Sequence, residues 1–255
     1  MNYIMVSAHN EKHIQKIDLL DGVIMLNLED GVPKDKKKIA LENIINYLKI
    51  SPKKDIVVRV NSLDESGLEE IIALNQFNIP FRIPKVNSLQ DLDRVFDITN
   101  NDIHLSIETK ESFFNIKTLK HERIKVFYLG ILDLFNDLGL NHSIISLENH
   151  LVQKIITDFS LNSLYLGVTP IGFVYQQYKD LEGFSKWCVL QKQMGIQGVG
   201  TITPAQLKIA NKIFNIDIEY AQMIVERFEK EGPFTIDGLF VDEPIYKNYK
   251  LLIKR

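Results

Sequence analysis

Five ionisable residues, Asp30, Arg59, Lys85, Glu108 and Asp133, follow one another at intervals of 29, 26, 23 and 25 residues, each at or just past the end of a short apolar run. A strand, a loop and a helix occupy about that length, so the residues mark the same point in successive structural repeats. In a barrel of parallel strands, such points converge on the rim where barrel enzymes place their sites. Any one of them alone would ordinarily cap a helix, join a surface ion pair or sit in a solvated turn. Five in phase point to a shared polar mouth.

The chemistry follows from the residue types. Glu108 and Asp133 belong to adjacent repeats, so their carboxylates can reach one cation. Hard oxygen donors without a cysteine or histidine cluster favour Mg²⁺, which takes one or two protein carboxylates and keeps several waters. Arg59, in VVRVN, offers a planar fork to a substrate carboxylate, and Asn61 can support it. Lys85, at the end of FRIPK, is the weakest member, because a lysine after proline also suits a solvated turn. A metal, an arginine and further acids together suit a 2-oxo acid chelated through its carboxylate and keto oxygen, with the metal stabilising an enolate at the adjacent carbon. Residues 23–34, VIMLNLEDGVPK, raise a related point. An apolar run that ends in Glu29 and Asp30 must leave these carboxylates exposed, paired or beside a cation, because isolated buried charge is costly.

Eight short apolar runs supply the strands that must position these groups, at about 3–8, 22–28, 56–60, 80–85, 103–108, 126–132, 171–176 and 199–203. Between them, stretches such as KKKIALENIINYLK, LEEIIALNQF, LQDLDRVFDIT, FSKWCVLQKQM and AQLKIANKIF space their apolar residues three or four apart, as one-sided helices do. Residues 161–168, LNSLYLGV, read equally as a strand or as the end of a helix over 150–166 closed by Gly167, with Pro170 opening the next strand, and the helix is the reading taken. The tail holds one more helical stretch, IEYAQMIVERFEKEG, then a strand or turn and a final helix in DGLFVDEPIYKNYKLLIKR. The alternation predicts a (β/α)₈ TIM barrel over residues 1–255, a single domain with a closing C-terminal helix.

Composition narrows the function classes. The chain has 255 residues, 45% hydrophobic and 25% charged, with a formal net charge of -3, which gives no electrostatic case for binding nucleic acid or an anionic membrane. With one cysteine, Cys188, no intramolecular disulfide and no thiolate cluster can form. The N-terminus lacks a signal-peptide pattern and no run approaches the ~20 apolar residues of a bilayer span, so a cytoplasmic protein is expected. Several weaker motifs point to ordinary structure. GIQGVG at 195–200 lacks the lysine of a P-loop and reads as turn glycines, and HNEKH at 9–13 is not a zincin motif. KDKKK at 34–38 suits a solvated first helical turn that coenzyme phosphates could also use. Cys188 beside Trp187 reads as core.

In this order the motifs resemble the citrate lyase β-subunit-like branch of the HpcH/HpaI aldolase family. VIMLNLEDGVPKDKKKIA is similar to its LEDxV segment and downstream lysines, VVRVN to its arginine strand, FRIPKVNSLQDL to its PKV segment, LSIET to its metal strand and YLGILDLFNDLG to its glycine-and-aspartate turn. PIGFVYQQYKDLEGF, GIQGVGTITPAQ and DGLFVDEP match later signatures in sequence. The resemblance implies an (α/β)₈ barrel, often trimeric, that uses Mg²⁺ to cleave or form carbon–carbon bonds in 3-hydroxyacyl thioesters. It also implies that Glu108 and Asp133 hold Mg²⁺, that Arg59 binds the oxo-acid carboxylate, and that Glu29 and Asp30 order water or act in proton transfer. The substrate expected is a small oxo acid or acyl-CoA.

The chain departs from the family pattern in several places. NYIMVS replaces an Arg-Ser opening, DLED has become NLED at Asn27, and KESFF follows IET where a glycine turn is usual. Gly172 stands where the family has Asp before its seventh strand, and the usual Gly-Lys and Ile-His-Pro appear as Gly198-Val199 and Ile202-Thr203-Pro204. Because its tail is short after the expected barrel, the chain is expected to lack the long C-terminal domain of malyl-CoA lyase relatives. The expected activity is therefore that of a divergent lyase or aldolase on another short acid, free or activated. The competing expectation is a non-catalytic subunit or scaffold built on the same fold, and a third is a synthetic, condensing enzyme.

Overall fold

The structure is a computed structural model that describes residues 1–50 and 54–253. Its strands are β1 (Tyr3–Ser7), β2 (Val23–Asn27), β3 (Ile56–Arg59), β4 (Phe81–Ile83), β5 (Ile103–Ile107), β6 (Ile124–Leu129), β7 (Thr169–Gly172) and β8 (Gly198–Thr201). They run parallel in sequence order, and β1 closes on β8 through Tyr3↔Gly200 and Ile4↔Thr201, making the predicted eight-stranded barrel. The helices up to the midpoint are α1 (Glu11–Ile14), α2 (Lys37–Lys49), α3 (Gly67–Leu74), α4 (Asp93–Ile98) and α5 (Lys110–Phe114). Those that follow are α6 (Ile131–Asp137), α7 (His150–Tyr165), α8 (Leu181–Gln193), α9 (Pro204–Phe214), α10 (Ile218–Glu231) and α11 (Glu243–Leu252).

Strand side chains alternate between two cores. Outward residues such as Ile24, Leu26, Val58, Phe81, Leu105 and Phe127 pack with the surrounding helices. Inward residues Tyr3, Val23, Met25, Val57, Val126, Tyr128 and Ile171 form a second cluster inside the barrel. Burial on both faces explains why these strands read as continuous apolar runs. Climbing the inward positions two residues at a time turns them polar: Met25 to Asn27 to Glu29, Val57 to Arg59, and His104 to Ser106 to Glu108. The fold thus builds an apolar floor and an ionisable rim from the same strands.

Barrel closure depends on one bare backbone position. A Cβ on Gly198 would lie 1.7 Å from the carbonyl oxygen of Met1, so only glycine lets β8 approach the chain start. Helix α7 is capped by Asn149, whose side chain accepts from the Leu151 and Val152 N–H groups, and it is followed by Gly167 at φ +74°, the expected stop.

Most strand boundaries shift by one or two residues from expectation, and three of the shifts have a clear local cause. The sixth strand ends at Leu129, and residues 131–137 form α6, because Gly130 breaks the extended run and the Ile131, Leu134 and Phe135 spacing is helical. The fourth ends at Ile83, because Pro84 follows and Lys85 turns into the left-handed region at φ +57°. The seventh begins at Thr169 and ends at Gly172, after which the Phe173 N–H donates to the buried Gln191 side chain instead of to a strand.

The Cα packing divides the chain into two compact units, Met1–Phe214 and Asn215–Arg255. The first is the barrel with its helices. The second carries α10, α11 and an antiparallel hairpin of β9 (Phe234–Ile236) and β10 (Leu239–Val241), around Ile224, Phe234 and Val241. Its two-residue turn, Asp237-Gly238, has both residues at positive φ, as a tight hairpin of this twist requires. The last two residues of the expected C-terminal helix lie outside the described residues. No described helix is long and apolar enough to cross a membrane.

Candidate functional site

The carboxyl ends of the strands surround a cavity of about 350 Å³. Asp30, Arg59, Glu108 and Asp133 line it, as their phase predicts, joined by Arg82. Asn27 shapes the LED turn. Its amide oxygen accepts from the Glu29 N–H at 3.2 Å, and its amide nitrogen donates to the Asp30 carbonyl. The Asp30 N–H in turn donates to the Glu29 carboxylate at 2.9 Å, so Glu29 folds back under the turn while Asp30 stands exposed at the mouth.

Arg59 joins the acids. Its Nη2 contacts the Glu29 carboxylate and lies 3.4 Å from Asp30 and 4.0 Å from Glu108. Its Nε is buried with no hydrogen-bond partner among the described residues. This answers what the adjacent carboxylates at 29 and 30 do: the buried one is paired and the other faces the cavity.

Glu108 is 2% exposed, and its Oε1 accepts the Lys85 backbone N–H at 3.1 Å. Burial raises its pKa, opposed by Arg59 and Arg82 and reinforced by Asp133. Room for this carboxylate comes from Gly130, where a Cβ would sit 2.4 Å from the Glu108 Cβ and 2.8 Å from its Oε2. Asp133 reaches the cavity from the first turn of α6.

Besides Glu29, which pairs with Arg59 outside the lining, two sequence candidates are not brought to the cavity. The Asn61 amide donates to the Leu28 carbonyl at 3.1 Å and to Glu70, and its oxygen accepts from Lys37, so it ties β3 to α2 and α3. The Lys85 side chain is exposed, and only its backbone N–H serves the site, through Glu108. Sequence reasoning missed Arg82, although it pairs in register with Arg59 and interrupts an apolar strand. Beneath it, burial, with the Arg82 charge beside it, holds the His104 imidazole down to about 3, and His104 Nδ1 lies 3.2 Å from the Tyr128 hydroxyl.

The donor set fits a divalent cation. Around the cavity stand three carboxyl groups, Asp30, Glu108 and Asp133, against two guanidiniums, Arg59 and Arg82, with Glu29 paired to Arg59 outside the lining. Among the described residues no three His, Cys, Asp or Glu side chains converge as a closed metal cage. Two carboxylates, one on a buried strand end and one on a helix turn, match the open coordination that Mg²⁺ adopts with its waters and a ligand.

Glu29 makes the site pH-sensitive. Burial, with Asp30 and Glu108 nearby, pushes its carboxyl from 4.5 up to about 7 despite the pull of Arg59. A raised folded-state pKa means that the folded state binds the proton more tightly. Its contribution to stability is therefore present below pH 4.5 and lost as pH rises towards about 7. Urea midpoints of the metal-free protein are expected to fall between pH 5 and 8, and Glu29→Gln to flatten that fall. An equal slope in the variant would assign the dependence to other groups.

Residues 6–204 match the HpcH/HpaI aldolase/citrate lyase family. A (3S)-malyl-CoA thioesterase of Cereibacter sphaeroides is 28% identical over 254 residues, covering 94% of this chain and 88% of the relative. A citrate lyase subunit beta of Haemophilus influenzae is also 28% identical, with coverages of 91% and 88%. Among solved structures, CitE of Mycobacterium tuberculosis in complex with magnesium, acetoacetate and coenzyme A superposes with a TM-score of 0.77 at 20% identity, covering 99% of this chain and 96% of its own. That likeness bears on the fold.

Proposed function

The chain belongs to the HpcH/HpaI aldolase/citrate lyase family, and from that premise we propose that it is a Mg²⁺-dependent carbon–carbon lyase or aldolase. Its substrate is a short 2-oxo or 3-hydroxy acid, free or as a coenzyme A thioester, and the reaction passes through an enolate. The observation that carries this reading is the meeting of Glu108, Asp133 and Arg59 at one cavity at the carboxyl ends of the strands.

Glu108 and Asp133 hold the cation. When bound, Mg²⁺ supplies Lewis-acid polarisation of the substrate's oxygens and stabilises charge that develops in the transition state. Arg59, fixed by Glu29 and Asp30, presents positive charge to an acid carboxylate. Asp30, at the open mouth, exchanges a proton with the reacting carbon or orders a water. Glu29, bonded to the Asp30 N–H and pressed on Arg59, sets the position of both. The partners of this reading are the small acid or acyl-CoA substrate and further copies of the chain in a homo-oligomer, a trimer by family resemblance.

The 28% identity with a (3S)-malyl-CoA thioesterase favours a second reading, hydrolysis of the thioester in place of carbon–carbon cleavage. One assay separates the two. The protein is incubated with Mg²⁺ and citryl-CoA, citramalyl-CoA or (3S)-malyl-CoA, and the oxo acid and free thiol are measured. Release of oxaloacetate, pyruvate or glyoxylate without free thiol is the expected result. Free thiol without oxo acid would establish the hydrolase, and neither product from any of the three would favour a non-catalytic subunit.

A further inference from the structure

Arg82 is the cation that the site does not explain. It is buried on β4 inside the barrel, at 6% exposure, and it lines the cavity. Its Nε donates to the Ser106 hydroxyl at 2.9 Å, its Nη1 to the Met25 thioether sulfur at 3.2 Å, and its guanidinium lies 4.1 Å from the centre of the Tyr128 ring. No carboxylate comes within 4.0 Å among the described residues, whereas Arg59 has three. A hydroxyl, a weak thioether acceptor and a ring face leave much of a five-donor fork unused.

A buried guanidinium normally has a paired anion, because desolvating an unpaired charge is expensive. Burial, with Arg59 beside it, lowers the Arg82 pKa to about 10, so it remains charged at neutral pH. Arg59, by contrast, already has three of the protein's own carboxylates within 4.0 Å of its Nη2. The position of Arg82 adds a length constraint. Its partners Met25 and Ser106 each lie two residues below rim positions, Asn27 and Glu108, which is about 7 Å along a strand. An anion seated on Arg82 is therefore deep in the cavity while the Glu108 and Asp133 corner is at its top.

From this juxtaposition we infer that Arg82 is a substrate-positioning residue that takes the distal carboxylate of a short dicarboxylic acid, the other end of which meets the Glu108–Asp133 corner. The inference rests on the metal-dependent oxo-acid site proposed above and narrows its substrate class from oxo acids in general to diacids. It also accounts for the buried Ser106, since a hydroxyl at 2.9 Å fixes the fork without neutralising it.

Calorimetric titration with freshly dissolved oxaloacetate and with pyruvate, each with Mg²⁺ and with chelator, tests it in wild type, Arg82→Met and Arg82→Lys. Both acids present the same carboxylate and keto oxygen to a metal, and only oxaloacetate carries a second carboxylate. Wild type is expected to prefer oxaloacetate. Arg82→Met should weaken oxaloacetate by about 10- to 100-fold, as loss of a charge-assisted hydrogen bond does, and pyruvate by far less. Arg82→Lys should fall between, keeping charge without the fork. The melting temperature of Arg82→Met should match or exceed that of wild type, since an apolar chain of similar length replaces an unpaired buried charge.

Equal weakening of both acids would make Arg82 a support of the metal corner and overturn the inference, as would unchanged binding of both. If Arg82→Met does not fold, an oxaloacetate preference retained in full by Arg82→Lys would overturn it. Absence of Mg²⁺-dependent binding of either acid to wild type would instead reject the oxo-acid site itself, and this inference with it.

Discussion

Glu108→Gln and Asp133→Asn are each expected to abolish magnesium-dependent turnover while leaving the barrel folded. Each exchange preserves shape and removes one of the two carboxylates offered to the cation. With no third protein ligand in reach among the described residues, either loss leaves a single carboxylate, too few to hold Mg²⁺ against its own hydration. The rate loss should be at least about 10²- to 10³-fold, the size found when one charge-stabilising group is removed from an active site. The two variants should differ in stability. Asp133 is exposed, so Asp133→Asn should melt like wild type. Glu108 is buried and its carboxyl is disfavoured as an anion by that burial, so Glu108→Gln should melt slightly higher without metal. Calorimetric titration of Mg²⁺ and thermal melts check both statements. Retained turnover in both variants would remove the metal corner from the mechanism.

Arg59→Met is expected to cause the largest loss of stability of any single exchange in the site. Arg59 contacts buried Glu29 and lies 4.0 Å from buried Glu108, so its removal leaves two carboxylates without their nearest cation. Breaking a buried pair by deleting one partner costs about 3–5 kcal/mol. The pH dependence gives this loss a signature. Without Arg59 the Glu29 carboxyl, already raised by burial to about 7, rises further above its unfolded value of 4.5, so its penalty grows as pH increases. Urea midpoints of Arg59→Met should therefore lie far below wild type at pH 8 and recover much of the difference at pH 5.5. The double variant Arg59→Met/Glu29→Gln should recover stability at pH 8, because neither partner is then left charged and alone, yet it should still fail to bind an oxo acid. Additive effects of the two exchanges would mean that the Arg59–Glu29 contact contributes nothing.

The two expectations treat the same cluster in opposite ways, and the reason is position. Asp133 sits at the water-facing edge, where deleting charge is nearly free for the fold. Arg59 and Glu29 sit one step inside it, where charge persists only in company. Asn27 belongs to the same economy of position: by bridging the Glu29 N–H and the Asp30 carbonyl it turns one of two neighbouring acids inward and the other outward. The asparagine that departs from the family pattern is thus accommodated in the turn.

The order of strands and helices, the two-faced burial of the strands and the phase of Asp30, Arg59, Glu108 and Asp133 were all legible in the chain. Each is a local property: apolar period, strand length and the residue type that follows a strand are written in consecutive positions. Asn61 and Lys85 show where local phase stops being enough. Asn61 keeps the parity of Arg59, but β3 has ended before it, and Glu70 on α3 supplies the partner that draws its amide away from the barrel. Lys85 follows Pro84 into a left-handed turn that leaves its N–H on Glu108 and its side chain in solvent. Arg82 shows the converse. Its charge stood out in FRI, but whether it was paired depended on which side chains arrive from β2, β5 and β6, and these turned out to be Met25, Ser106 and Tyr128. The sequence by itself determined the barrel and the strand ends that bear its ionisable groups. Only the tertiary structure decided which of those groups meet, because contact across a closed barrel is set by strand register and loop path, and these follow from the packing of the whole chain.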